Sequence, residues 1–384
     1  MAAGPGDILQ LIREGRVATR RDITEATGLS RVTVAQRIDA LRRTGLIYEA
    51  EPEESTGGRR PTRLRVNHDH GLVLTAVVDT THVELSVTNL AGEALVVDHR
   101  AVTTARGPRP VLDEVLAGFA QLIDAAGKTH DDIDGIGVSL PAPIDPQTMR
   151  PSSPPLMPGW DDYDMVTHLG RVHDVPIVVE NDANVTALGE QSSHHPDASP
   201  LCLIKVSTGI GCGFVVGGDV LTGVDGGSGD IGHIRLDGHE DAVCTCGSRG
   251  CLAAVASGGA IAAQLTAIGH QASSGSDVRR LLEAGDVEAI QLTREAGRRI
   301  GRVASIVNSV VNPEVLVVTG DLASDPLLAG IQESIYEYSL PRAIRNLQVV
   351  LGGLGDRAAQ MGLSHLVANK VFDPAAVDLR VGSA

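Results

Sequence analysis

The sequence predicts an α/β protein of two lobes, preceded by a small helical domain. Its 384 residues suffice for two or three domains with substantial cores. Beyond residue 66 the same order of elements occurs twice, a group of apolar strands and then alternating helices and strands. Charge divides the chain at the same place: residues 1–66 carry 12 Arg against 9 Asp and Glu, and residues 67–384 carry 20 Lys and Arg against 39 Asp and Glu. Only the head, residues 1–66, is therefore suited to approach a polyanion.

The head is predicted to contain three helices closed by a strand pair. An apolar stripe at Ile8–Ile12 marks the first helix, and Arg20–Thr27 forms the second. Gly28 turns the chain, and Ser30 caps a third helix that runs to about Arg43. Strands at 46–48 and 63–66 then flank a glycine-bearing loop. This order is typical of a winged helix-turn-helix domain.

The third helix of the head has an apolar face and a polar face. Val34, Ile38 and Leu41 recur at helical spacing and are predicted to pack inward. Side chains that point outward near the start of such a helix can bond base edges or phosphates in the major groove of DNA. The predicted DNA contacts are Arg31, Thr33, Gln36 and Arg37 on the helix, with Arg59 and Arg60 in the wing. The alternative is a three-helix interaction module with a solvated charged face.

The body, residues 67–384, is predicted to form two similar lobes. The first lobe, residues 67–185, has strands at 72–79, 83–89, 94–102, 133–140 and 177–179 and a helix at about 110–126, and is completed by a helix at 356–372. The second lobe, residues 186–355, has strands at 201–206, 213–216, 315–318 and 347–350. This layout is that of the α/β actin-like ATPase (ribonuclease H-like) fold, in which a ligand cleft separates the lobes.

A short segment of the second lobe supplies four metal ligands. His233 precedes Cys244, Cys246 and Cys251, and the glycines at 247 and 250 allow the backbone to double back. Structural Zn²⁺ takes four nitrogen or sulfur ligands in a tetrahedron, so the spacing predicts one zinc ion per chain. Three buried, unligated cysteines are the alternative. The N-terminus has no signal-peptide pattern and no run of 18 apolar residues occurs, so we expect a cytoplasmic protein without a membrane span or disulfide.

Four motifs of the body resemble those of the ROK family of repressors and sugar kinases. They are Gly137–Asp145, the Glu180–Glu190 segment with Asn-Asp-Ala-Asn, the glycine-rich Ser207–Gly213, and the zinc segment 229–251. The ordered set spans residues 67–384. The head resembles the DNA-binding domain of the family's regulators, which its kinases usually lack.

The resemblance also shows where this chain departs from the family's kinases. Their phosphate-binding turn, Asp-x-Gly-x-Thr, corresponds here to Asp79-Thr80-Thr81-His82, which has no glycine. Gly320-Asp321 stands where the kinases usually have paired glycines, and a carboxylate there repels phosphate. Ser207–Gly213 is retained, although glycines in a hairpin are more often structural. We therefore expect no enzymatic activity.

The resemblance implies an effector site in the cleft. Asn181 and Asp182 would bond sugar hydroxyls, with Asp182 in the place of the kinase's base, and His233 would bind zinc through one nitrogen and a hydroxyl through the other. Asp230 replaces the usual Glu, and Ala253 replaces another Glu, so the effector is expected to differ from a simple hexose. A helix N-cap is the alternative role for Asn181 and Asp182.

Together these features predict a repressor that binds double-stranded DNA. A symmetric homodimer or homotetramer is expected to bind a pseudo-palindromic operator, and a sugar or sugar derivative to act as its effector. Two alternatives remain: a ROK sugar kinase with an accessory DNA-binding head, and a regulator with no small-molecule effector.

Overall fold

A computed structural model describes residues 3–50, 62–155 and 157–383. In the head, α1 (Pro5–Arg13), α2 (Arg20–Thr27) and α3 (Arg31–Arg43) precede β1 (Ile47–Ala50) and β2 (Arg63–Val66), which pair antiparallel. Ser30 caps α3 by accepting the backbone N–H of Thr33 at 3.1 Å. Val34, Ile38 and Leu41 are buried, as their spacing predicts.

The first sheet has the order β5–β4–β3–β6–β7. It is formed by β3 (Leu72–Val78), β4 (His82–Asn89), β5 (Ala94–Ala101), β6 (Ile133–Leu140) and β7 (Ile177–Asn181), with α4 (Pro108–Ala125) and α5 (Met165–Leu169) between strands. The meander β3–β4–β5 is antiparallel, whereas β3, β6 and β7 run parallel. The carboxyl ends of β3 and β7 therefore lie at one edge, where Asp79 and Asn181 enter the cleft.

The second sheet repeats this plan in the order β10–β9–β8–β11–β12. After α6 (Asp182–His194) come β8 (Leu201–Val206), β9 (Ile210–Val216), β10 (Asp219–Val220), α7 (Leu252–Ala256), α8 (Gly258–Ala267), α9 (Gly275–Glu283), α10 (Val287–Val311), β11 (Val315–Thr319), α11 (Asp325–Tyr338), α12 (Pro341–Ile344), β12 (Gln348–Leu351), α13 (Arg357–Val371) and α14 (Pro374–Ser383). Two lobes with the same strand order form the actin-like ATPase architecture that the sequence predicts.

One expected loop is largely a strand. The glycine-rich segment Ser207–Gly213 turns only at its start, and β9 begins at Ile210, where it pairs with Val206 of β8. Position 213 of this strand requires a glycine because α6 crosses the strand closely there. A Cβ atom at this position would stand 2.5 Å from the carbonyl oxygen of Ala183. This glycine therefore has a packing role.

Helices α6 and α13 cross between the two sheets. Helix α6 packs on β8 and β9, and α13 packs on β3 and β6. At the crossing, a Cβ on Gly189 would approach the carbonyl oxygen of Ala358 to 1.9 Å, and one on Gly362 would approach that of Val185 to 1.8 Å. Two glycines thus bring the helix backbones into direct contact. The predicted 185/186 lobe boundary lies inside α6.

The head is docked on the end of α13 and on α14. Apolar side chains of the head, among them Ile8, Leu9 and Ile12, share one hydrophobic cluster with Val371 and Phe372 of the body. The backbone N–H of Gly6 also donates to Asp378 Oδ1 at 2.8 Å. Among the described residues, no helix is long and apolar enough to span a membrane.

Candidate functional site

The four predicted metal ligands converge in the second lobe. A turn closed by Cys244 N–H to the Ser248 carbonyl (2.8 Å) brings the first thiols together, and an isolated bridge between Arg235 and Cys251 returns the chain beside His233. The four ligand atoms of His233, Cys244, Cys246 and Cys251 all lie within 4.8 Å of one another. The sequence spacing thus corresponds to a compact cluster.

The dimensions of this cluster fit Zn²⁺. A Zn–S distance of about 2.3 Å and tetrahedral angles imply ligand–ligand edges of about 3.8 Å. Cys246 Sγ and Cys251 Sγ are 3.8 Å apart, and Cys244 Sγ lies 3.7 Å from His233 Nδ1. A soft set of three sulfurs and one imidazole also favours zinc over magnesium or calcium.

The thiols of the cluster differ in acidity. The backbone N–H of Ser248 lowers the pKa of Cys246 to about 6, whereas burial raises the pKa of Cys251 to about 12. A cysteine binds a metal ion as the thiolate, so binding at Cys251 would release a proton.

Next to the cluster lies a small chamber of the interlobe cleft, with a volume of 140 Å³. Its polar lining includes Asn181, Asp182, Asp230 and His233, the four residues predicted for the effector site. His233 turns Nδ1 toward Cys244, which leaves Nε2 as the ring nitrogen available to the chamber. Ala253 contributes an apolar wall. The predicted effector residues therefore line one cavity.

Asn181 also performs the helix-capping role that was the alternative for this pair. Asn181 Oδ1 accepts the backbone N–H groups of Ala183 and Asn184 at 2.9 and 3.2 Å. Its Nδ2 donates to the Ala142 carbonyl at 3.0 Å, so one amide proton remains for a ligand. Capping and chamber lining coincide because α6 begins at the cleft.

Lys205 is a cleft residue that the sequence reading missed. Its Nζ donates to Asp182 Oδ2 at 2.5 Å, and it lies in the wall common to the small chamber and a larger one. The available signal was a lysine inside the apolar strand Leu201–Val206. Asp182 is thus held in an ion pair with Lys205 at the junction of the two chambers.

The larger chamber, of 740 Å³, lies in the other half of the cleft. It contains the turn Asp79–His82, closed by the Asp79 N–H and the His82 carbonyl at 2.9 Å, and the segment Gly320-Asp321. Burial raises the pKa of Asp321, and the charge of Asp79 adds to this effect. Two carboxylates in this position repel a polyphosphate.

The predicted DNA-contact helix presents a mixed surface. Arg31 and Gln36 are exposed, whereas Thr33 is half-buried and bonds the Ser30 hydroxyl at 2.8 Å. Arg37 is also half-buried, and its Nη1 has no hydrogen-bond partner among the described residues. Val32, which was not predicted, is 68% exposed. An exposed methyl-bearing side chain suits contact with thymine. Arg59 and Arg60 lie outside the described residues.

Comparison with known proteins gives two matching family profiles. The profile of the ROK family matches residues 77–370, and a winged helix-turn-helix DNA-binding profile matches residues 6–48. The chain is 25% identical to the xylose repressor of Bacillus spizizenii, with 95% of each chain covered. It is 29% identical to the glucokinase of Halalkalibacterium halodurans, over 76% of this chain and 93% of the glucokinase.

The full-length fold also has a solved counterpart. The crystal structure of a ROK family transcriptional regulator, a homologue of the Escherichia coli MLC protein, superimposes with a TM-score of 0.82 at 24% identity. The match covers 99% of this chain and 98% of that regulator, so it includes the head as well as both lobes.

Proposed function

The chain belongs to the ROK family, and from this premise we propose that it is a transcriptional repressor controlled by a carbohydrate effector. The observation that carries the proposal is the continuity of structure from the cleft to the DNA-binding head. A winged helix-turn-helix match and full-length similarity to a xylose repressor support the same function.

The head supplies DNA binding. Helix α3 would enter the major groove with Arg31 and Gln36 toward the bases, while Arg37, Arg59 and Arg60 would contact phosphates or the adjacent minor groove. The body has a strong excess of acidic residues and would be repelled by DNA. The proposal therefore places all DNA contacts within residues 1–66.

The small chamber supplies effector binding. Asp182, Asp230 and His233 offer carboxylate and imidazole groups to sugar hydroxyls, as the wall of a monosaccharide site requires. Zinc would be held by His233, Cys244, Cys246 and Cys251, fixing the imidazole ring so that Nε2 faces the ligand. The metal would thus order a recognition residue, and we assign it no role in bond cleavage.

Two crossed helices link the chamber to the head. Helix α6 begins at Asp182 in the chamber, touches α13 at the Gly189–Gly362 crossing, and α13 ends beneath the head. A shift of α6 cannot be absorbed at a crossing where backbones are in contact, so it is passed to α13. Effector binding would therefore alter the contacts between α13 and the head. Allostery requires such a difference in contacts between the free and the effector-bound states.

A symmetric oligomer would present two heads to a pseudo-palindromic operator. The second lobe offers an apolar surface for self-association: Val310 of α10 is 80% exposed, Tyr338 at the end of α11 is 50% exposed, and Leu340 beyond it is 60% exposed. Contiguous exposed apolar side chains mark interaction sites. We propose a dimer or tetramer formed through this lobe.

The test combines operator binding with sugar response. An operator selected from random duplex DNA is titrated with the full chain and with a chain lacking residues 1–66, in the presence and absence of D-xylose or N-acetyl-D-glucosamine. Asp182→Asn should abolish sugar-induced release while retaining operator affinity; exposed Asp197 supplies the matched control Asp197→Asn. Specific binding by the truncated chain would contradict the DNA assignment, and an unchanged sugar response in Asp182→Asn would remove Asp182 from the effector site.

A further inference from the structure

A further cavity, the head–body cavity, lies between the DNA-binding head and the body and has a volume of 660 Å³. The head contributes the end of α1, the segment before α2 and the β1–β2 pair, and the body contributes the end of α6, the β4–β5 turn and α13. Its volume falls within the range of about 300–1,000 Å³ that is usual for small-molecule sites. Neither DNA binding by α3 nor sugar binding in the interlobe cleft uses this cavity, so it needs a separate explanation.

Strand register places cations on the head side of the cavity. Arg63 and Arg65 are exposed and alternate with the buried residues of β2, so both arginines share one face of the strand. Tyr48 of β1 is the direct cross-strand partner of Arg65 and therefore lies on the same face. All three residues line the cavity. Two guanidinium groups and a phenol thus form its head wall.

The body side adds imidazole and hydroxyl groups. Met361, His365 and Ala368 recur at helical spacing along α13 and line the cavity from one face of that helix. Ser192 and Ser193 lie in the last turn of α6, and the Ser193 hydroxyl is 3.7 Å from Met361 Sδ. Serine and histidine can both donate hydrogen bonds to an oxyanion. The body wall therefore complements the guanidinium groups of the head wall.

Among the described residues that line the cavity there is no carboxylate. The neighbouring acids Asp69 and Glu93 both accept from Asn89 Nδ2, at 2.8 and 3.0 Å, and neither is part of the lining. Four other arginines of the head pair with acids, whereas Arg63 and Arg65 form no ion pair with a described residue. Since the chain has 48 Asp and Glu against 32 Lys and Arg, a cationic lining free of acids departs from its general composition.

Arg13 adds a third guanidinium to the lining. Its donation to Asn369 Oδ1 at 2.7 Å fixes the position of this group. Burial lowers the pKa of His365 and that of His68, and the positive charge of Arg13 adds to both effects. A bound anion would act in the opposite direction on both imidazoles, because an opposite charge favours their protonated form.

The donors of the lining match a phosphate group in particular. A guanidinium group bonds two phosphate oxygens at once, and this geometry distinguishes arginine from lysine. A ligand that contacts both Arg65 and His365 must lie between the head and α13. A small molecule can enter such a cavity, whereas a DNA duplex binds along an outer surface.

We propose that the head–body cavity binds a small phosphate-bearing anion, held by Arg63 and Arg65 of the head and by His365 of the body. Because this ligand contacts both sides only when the head is docked, its binding stabilises the docked arrangement by mass action. The inference goes beyond the proposed function, whose effector site lies in the interlobe cleft. Its failure would therefore leave the repressor function standing.

Equilibrium dialysis of the zinc-loaded full chain against radiolabelled inorganic phosphate measures this binding, with the ionic strength held constant by sodium chloride. The key variant is Arg65→Met, which removes a guanidinium from an exposed strand position and keeps an apolar stem. His365→Gln tests the body wall. Arg342→Met is the matched control, because Arg342 is an exposed arginine of α12 in the second lobe.

The wild type should bind about one phosphate per chain. Arg65→Met should bind it at least about tenfold more weakly, because a charge-assisted bond is lost. His365→Gln should also weaken binding, and Arg342→Met should match the wild type. If Arg65→Met does not fold, Arg63→Met takes its place with the same expected loss.

Amide hydrogen exchange gives an independent readout, since unfolding of the head opens the cavity. Phosphate at about ten times its dissociation constant should raise protection at Ile38 and Leu41 about tenfold in the wild type. The same concentration should raise it much less in Arg65→Met.

Three results would overturn the proposal: no saturable phosphate binding by the wild type, an equal loss in Arg342→Met, or unchanged affinity in a folded Arg65→Met. Operator titration distinguishes the remaining occupant. Loss of operator affinity in Arg65→Met with unchanged phosphate binding would assign this surface to the DNA backbone, and the small-anion site would be abandoned.

Discussion

Replacing Arg13 by Met is expected to loosen the head from the body without unfolding the body. The Arg13 guanidinium donates to Asn369 Oδ1 at 2.7 Å and lies 4.8 Å from the centre of the Phe372 ring. Burial lowers the pKa of Arg13, with Glu14 acting in the opposite direction. The guanidinium is therefore held in a partly dry interface, where its contacts are stronger than on the surface.

The size of the effect follows from these two contacts. A hydrogen bond from a charged donor contributes about 1.5–3 kcal/mol, and a cation–π contact contributes about 0.5–2 kcal/mol. Met retains most of the apolar packing of the arginine stem, and half-buried Asn369 can bond water instead. A net loss of about 2 kcal/mol is expected, which is about a thirtyfold change in an equilibrium constant.

Amide hydrogen exchange of the full chain measures this change. Protection at Ile38 and Leu41 in the core of the head should fall about thirtyfold, because unfolding of the head must first break the interface. Protection in β6 and β8 should not change. Arg16→Met is the control, since Arg16 is 69% exposed and forms an ion pair with Glu14 alone among the described residues. An equal effect in both variants, or an equal loss in β6 and β8, would refute the reasoning.

Three further outcomes are expected. Metal analysis should find about one zinc per chain, and Cys251→Ser should lose it; stoichiometric zinc in that variant would contradict the ligand set. A panel of hexoses and N-acetylhexosamines with ATP should yield no ADP, because the Asp79–His82 turn lacks glycine. Turnover of about 1 per second or more would restore the kinase alternative. Gln36→Ala should weaken operator binding by about 1–3 kcal/mol, whereas loss of both Arg59 and Arg60 should reduce the salt slope by up to about two units.

Local patterns in the sequence predicted the elements and the metal ligands. Apolar periodicity located the head helices and the strands of both sheets except β10, and Ser30 marked the start of α3, because caps and amphipathic faces depend on neighbours within a few residues. The three cysteines and His233 were recognisable for the same reason, since a turn of the chain suffices to bring them together. Family resemblance then supplied the two-lobe arrangement and the cleft.

Other features could be identified only in the folded chain. Lys205 was overlooked because a lysine in an apolar strand acquires its meaning from Asp182, which reaches it from the start of α6. The packing role of Gly213 likewise depended on α6 crossing β9. The contact between Arg13 and Asn369 near the end of α13 was also visible only in the folded chain, because 356 residues of sequence separate the two. The sequence by itself determined which segments became helix, strand and metal loop, because those choices depend on residues close together in the chain. The tertiary structure alone decided which charges meet and which helices touch, because such contacts exist only after distant segments have packed together.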